Sequence, residues 1–306
     1  MAKICYVFSG QGGQSAGMGK DLYDANVEAR AAFDEIDAAL GKKLSEIMFE
    51  GPVEELSRPE NVQPAIFAVS MAIWRAGSMD RVAADNYVAG HSLGEYSALT
   101  ASGAVDMADA ARLIRRRGEL MQAAVAPGVG AMGAIVGSAD GLCSAASIEA
   151  ICSEASAAAG GVCEFANDNG GGQVVVSGNR TAVEKAMEIA KAKGAKIAKI
   201  LPVPGCPHCS LMESAAAEFR AEIDKIAWTA PECGFISNKT AAVMRDISEI
   251  KDALVYQLTH GVRWRECVLA MPSLGISEVV EVGPGNVLTG LVGRILPDLK
   301  AHKLGE

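Results

Sequence analysis

At 306 residues, half of them apolar and 5% aromatic, the chain suits two domains or one large α/β domain carrying an insertion, with a core of Ala, Val, Ile, Leu and Met. A net charge of −9 argues against nucleic acid as a general partner, and no apolar stretch reaches the length of a membrane span. Eight cysteines without framework spacing fit a reducing cytoplasm, and the first apolar run, Ile4 to Phe8, has the length of a strand and not of a secretory signal.

The predicted elements mostly alternate between strand and helix. A strand at 3–8 enters the loop Ser9-Gly10-Gln11-Gly12-Gly13-Gln14, and helices follow at about 26–40 and 61–77. In the second helix Ala65, Val69, Ala72 and Ile73 recur at helical spacing. A short strand, Asn86-Tyr87-Val88-Ala89, leads into Gly90-His91-Ser92-Leu93-Gly94, and a long helix spans about 106–125. From 131 the order is strand (131–136), helix (145–159), strand (162–166), strand (173–177), helix (180–193) and strand (195–200). That βαββαβ order predicts an inserted ferredoxin-like unit, with Pro127-Gly128 and Pro202/Pro204 as hinges. A helix at 210–225, a strand near 234–237, helices at 246–259 and 264–273, a strand at 277–282 and a helix at 286–296 complete the chain. The expected fold is an α/β-hydrolase-like core with a mostly parallel sheet over 1–128 and 199–306, carrying a ferredoxin-like small subdomain over 129–198.

Gly90-His-Ser-Leu-Gly94 has the form of a serine nucleophile on a strand-to-helix turn. Glycines permit the tight backbone, and the new helix aims free N–H groups at developing charge. Ser92-Leu-Gly-Glu95 also fits a capping box, which would make the serine a mere helix start. A nucleophilic serine needs a base, and four histidines are available. His91 is adjacent to Ser92 and points elsewhere on a sharp turn, His302 falls in a polar C-terminal tail, and His260 lies near a helix end. His208 follows the irregular run Leu201-Pro-Val-Pro-Gly-Cys-Pro207, where catalytic side chains concentrate, and is the best base by elimination. Cys206-Pro-His208-Cys209 has no second cluster to complete a metal tetrahedron.

Arg117 falls on the apolar face of its helix with Leu113, Leu120, Met121 and Ala124. A guanidinium there needs an anion, either an internal Asp or Glu or a substrate carboxylate. The loop at 9–14 lacks the features of a phosphate cradle, and it could bring the Gln11 N–H to the serine as an oxyanion donor. Residues 21–60 hold eleven acids and four bases, whereas 185–199 hold five lysines and one glutamate. Those lysines make either a solvated helix face or a dock for an acidic partner.

Taken in order, Gly10-Gln-Gly-Gly-Gln14, Gln63-Pro64, Gly90-His-Ser-Leu-Gly-Glu-Tyr-Ser-Ala-Leu99, Arg117-Gly-Glu-Leu-Met-Gln122, Gln173-Val-Val-Val-Ser-Gly178, His208-Cys-Ser-Leu-Met212, Gln257-Leu258 and Glu281-Val-Gly-Pro-Gly285 resemble the malonyl-CoA:acyl carrier protein transacylases. The resemblance covers nearly the whole chain. It implies a ping-pong transfer without a cofactor or metal, from a coenzyme A thioester through Ser92 to the phosphopantetheine thiol of acyl carrier protein, in support of fatty-acid synthesis. It further implies His208 as base, backbone N–H groups of Gln11 and Leu93 around the oxyanion, and Arg117 on the malonyl carboxylate. The main-chain carbonyl at Gln257 would orient the histidine, with the Gln63 and Gln257 side chains in support. Lys185, Lys191, Lys193, Lys196 and Lys199 would include carrier-docking contacts. A polyketide-type acyltransferase and an acyl-thioester hydrolase are the alternative readings. Pro207 stands where relatives often carry Phe or Ser, and His260-Gly261 where Asn-Pro or Ser-Pro is common, which bears on acyl selectivity.

Overall fold

The computed structural model describes residues 3–77 and 82–305. Its strands, in chain order, are β1 (Lys3–Phe8), β2 (Tyr87–Gly90), β3 (Gly130–Val136), β4 (Cys163–Asp168), β5 (Gln173–Asn179), β6 (Ile197–Ile200), β7 (Gly234–Ile236), β8 (Val243–Met244), β9 (Ile276–Val282) and β10 (Lys300–Lys303). They form a six-stranded sheet ordered β10-β9-β1-β2-β7-β8 and a four-stranded sheet ordered β4-β5-β3-β6.

β1 is central to the larger sheet because Cys5–Phe8 is apolar and buried throughout, as a strand covered on both faces requires. It pairs in parallel with β2 and β9, which pair in parallel with β7 and β10; β8 runs antiparallel at the edge. The chain leaves β1 for β2 on one side while β9 occupies the other. The C-terminal ends of β1 and β2 therefore open onto a switch point, where such sheets leave a crevice.

Helices Val27–Leu40, Pro59–Ala76 and Met107–Ala124 contribute to one large apolar core. Asn26 and Asp106 cap the first and third through their side-chain oxygens. Gly118 sets the approach of the third helix to the second, since a Cβ there would lie 2.4 Å from the Pro59 carbonyl oxygen. That close contact carries Arg117 to the second helix, where Gln63 meets it.

The four-stranded sheet is antiparallel, with helices Ala145–Ala159 and Arg180–Ala192 packed over a separate core. Strand periodicity sorts its residues: Val174 and Val176 face the helices, while Val175 turns with Met132 to the opposite face. The strand order and the βαββαβ sequence make it the expected ferredoxin-like unit.

Some elements differ from the expectations. The helix predicted at 210–225 is a 3-10 turn, Ser210–Met212, followed by helix Glu213–Ile223, and the helix predicted at 264–273 ends at Ala270. Helices Lys20–Ala25, Leu44–Glu50 and Val53–Leu56 and strands β8 and β10 were not predicted. His302 lies in β10 and not in a polar tail. That edge strand lacks apolar alternation because Lys300 and His302 both reach Glu278 on β9, at 2.6 and 2.7 Å.

Candidate active site

Ser92 follows β2 with φ of 52°, a left-handed conformation costing a non-glycine residue of order 1–3 kcal/mol. The turn packs directly on the sheet: a Cβ at Gly94 would lie 2.0 Å from the Phe8 carbonyl oxygen. Asn238, just past β7, braces the turn by accepting the Ser92 N–H at 2.8 Å and donating to Gly90 O at 2.8 Å. The capping-box alternative does not hold. The Glu95 N–H bonds the Ser92 carbonyl at 3.1 Å, leaving the hydroxyl to Nε2 of His208 at 2.9 Å.

His208 also has a positive φ, 65°, imposed by the irregular run before it. Its Nδ1 lies 2.7 Å from the Gln257 carbonyl oxygen, an acceptor that keeps the proton on Nδ1 and leaves Nε2 free to accept from Ser92. Burial, reinforced by the Arg117 charge, depresses the imidazole to about 3, so it is neutral near pH 7. Gln257 lies on helix Ile247–Thr259, whose side chain also reaches the site.

Arg117 is 1% exposed. Its guanidinium donates to Gln63 Oε1 at 2.6 Å, Gln257 Oε1 at 3.0 Å and Ser92 Oγ at 3.3 Å, and its Nε has no partner. These acceptors are all neutral. Among the described residues no carboxylate lies within ion-pair distance, and the buried Glu95 acts on the guanidinium only through space. A buried cation held by neutral acceptors within reach of the Ser92 hydroxyl is suited to an incoming anion.

A cavity of about 250 Å³ holds Ser92, His208 and Arg117 in its wall. The two sheets enclose it between them. Gln11 and Leu93 line it, and among the described residues neither N–H meets another backbone carbonyl. The smaller sheet and its loops add Met132, Val175, Asn167, Asn169 and Gln173. Pro207 also lies in the wall.

Other residues take no part in the contacts among Ser92, His208 and Arg117, although His91 lines the same cavity. His91 turns from Ser92 to Asn169 Oδ1 at 2.8 Å. His260 is exposed, stacked on Tyr256 with ring centroids 3.6 Å apart. Cys206 and Cys209 are buried in the core, the Cys209 thiol donating to the Cys206 carbonyl at 3.0 Å. Lys185 and Lys193 meet Glu188 at 2.8 Å and Glu154 at 3.5 Å, while Lys191, Lys196 and Lys199 are exposed. The sequence reasoning missed Asn238 and gave Glu95 only a capping role. Asn238 had a signal in its place just after a short strand, and Glu95 in its isolation as a charge within an apolar helix.

Known proteins resemble this chain over its whole length. The acyl transferase domain family matches residues 5–300. The malonyl CoA-acyl carrier protein transacylase of Escherichia coli (strain K12) is 42% identical over 306 residues, covering 100% of this chain and 97% of its own. The acyl-carrier-protein-S-malonyltransferase structure from Bartonella henselae superimposes with a TM-score of 0.93 at 44% identity, over 99% of this chain and 96% of that one. A malonyl-transacylase solved in complex with its type II PKS acyl-carrier protein gives a TM-score of 0.93 at 39% identity, over 100% and 96%. With full-length similarity of this degree, the chain belongs to the malonyl-CoA:acyl carrier protein transacylase family.

Proposed function

We propose that this chain moves a malonyl group from malonyl-CoA to the phosphopantetheine thiol of acyl carrier protein through an acyl-enzyme on Ser92, supplying fatty-acid synthesis. Arg117 carries the reading: a simple esterase has no use for a buried cation 3.3 Å from its nucleophile, whereas an acyl group ending in a carboxylate does.

In the first half-reaction the Ser92 hydroxyl loses its proton to Nε2 of His208 and attacks the thioester carbonyl. The Gln257 carbonyl steadies the imidazolium through Nδ1, and the N–H groups of Gln11 and Leu93 take the oxyanion. Collapse breaks the C–S bond, and the coenzyme A sulfur takes the proton from His208. Arg117 holds the malonyl carboxylate, with Gln63 and Gln257 fixing the guanidinium. In the second half-reaction the carrier thiol gives its proton to His208 and attacks the ester carbonyl; collapse breaks the bond to Ser92 Oγ, which takes the proton back from His208. These residues suffice without a cofactor. The Asn167, Asn169 and Gln173 amides suit the amide-rich pantetheine arm. Lys191, Lys196 and Lys199, with Lys185 and Lys193, offer an acidic carrier a basic surface. Eight free, buried cysteines fit a cytoplasmic setting, and among the described residues no helix is long and apolar enough to cross a membrane.

Incubation with radiolabelled malonyl-CoA tests this. One malonyl group should appear on Ser92, survive in water and pass to carrier protein, and Ser92→Ala should take none. Rapid release of free malonate would instead make the chain a thioester hydrolase.

A further inference from the structure

Glu95 touches none of the reacting atoms, yet it connects the two halves of the site. It is fully buried in helix Gly94–Ala101. One carboxylate oxygen accepts the Asn238 N–H at 2.7 Å, and the other accepts from Nε2 of Gln257. Asn238 braces the backbone of Ser92. Gln257, with Nε2 committed to Glu95 and lying 3.2 Å from the Ser92 carbonyl, has Oε1 left to present to Arg117 at 3.0 Å.

A side-chain amide can face either way, and only one way serves the site. Reversed, Gln257 would turn its N–H groups against the guanidinium and its oxygen against the Ser92 carbonyl. Of the three acceptors that prevent this, the Glu95 carboxylate, the Ser92 carbonyl and Asn238 Oδ1 at 3.4 Å, the carboxylate is the strongest. We propose that Glu95 is a positioning residue: it fixes the Gln257 amide with its oxygen toward Arg117 and, through Asn238, holds the Ser92 turn, so that the carboxylate clamp and the nucleophile keep one separation. This rests on Arg117 as the malonyl grip. Burial lifts the Glu95 carboxyl to about 8, and the Asn238 N–H and the Arg117 charge pull against that rise. The acceptor-only form that the arrangement uses therefore fills in as pH rises through about 8.

Glu95→Gln tests the proposal with little change of shape. Its single oxygen faces two donors, so either Asn238 or Gln257 loses its partner. The expected result is a fall of about tenfold in the malonyl-CoA to acetyl-CoA ratio of kcat/KM, mainly through KM for malonyl-CoA. In a Gln257→Ala background the same change should leave that ratio unmoved, because the amide it acts through is gone. Glu95→Asp, too short to span both donors, is read in the same way and answers the question if E95Q does not fold. A lower melting temperature with an unchanged ratio, or an equal fall in both backgrounds, would make Glu95 a core residue only. Wild-type protein that takes no malonyl group would sink the proposed function itself, so the two failures are distinguishable.

Discussion

The two sheets line the cavity differently. The larger one supplies strained backbone and ionic chemistry: Ser92 and His208 both sit at positive φ, and Arg117 is a buried cation. The smaller one lines the same cavity with neutral amides and apolar walls, such as Asn167, Gln173, Met132 and Val175. A parallel sheet ends its strands at one edge, so turns leaving β1, β2 and β7 converge there. An antiparallel sheet sends its connections to both edges and offers a face. The division teaches that the ionic groups and the neutral walls of the cavity can be altered separately, because each sheet packs on its own core.

The sharpest way to break that division is at His208. His208→Ala should cut acylation of Ser92 by roughly three orders of magnitude, measured in a single turnover with malonyl-CoA. The wild-type pH profile refines this. The folded imidazole sits near 3 against 6.5 in the unfolded chain, so it stays neutral as pH falls through 6.5, and acylation should show no histidine limb there. The same depression adds stability that is complete above pH 6.5 and is lost as pH falls toward 3, where the unfolded chain binds the extra proton. An acid limb at 6.5 would show that His208 is solvated or is not the base.

Next in size is Arg117→Ala. Loss of a charge-assisted contact at a buried site should lower kcat/KM for malonyl-CoA roughly a hundredfold and raise the relative use of acetyl-CoA. Equal losses with both substrates would assign Arg117 to the scaffold, and the ionic side of the cavity would lose its part in recognition. The smallest effect lies on the smaller unit, from helix Arg180–Ala192 to β6. Charge reversal at Lys191, Lys196 and Lys199 should raise KM for carrier protein a few-fold, leave acylation by malonyl-CoA unchanged, and fade as salt rises. An unresponsive carrier KM would put the docking surface elsewhere.

Much of the molecule was legible in the residues. Apolar runs and periodicity located most elements, because burial on one face or two imposes a period that composition cannot hide. The βαββαβ order of the smaller unit could be read for the same reason. Glycines beside Ser92 marked the turn, and an arginine on an apolar face marked the buried cation. The polar edge strand β10 was not legible, since its support comes from Glu278 on another strand and not from its own pattern. Nor was the capping question at Ser92, which turned on where a hydroxyl points.

By itself, then, the sequence determined the kind of groups available and the elements that carry them, since both follow from local pattern. Tertiary structure alone decided which groups meet. Gln257 comes to Ser92, His208 and Arg117 only when separate helices and turns pack at one sheet edge. Glu95 likewise became a brace and not a cap because Asn238 and Gln257, far along the chain, arrive with donors that a buried carboxylate must accept.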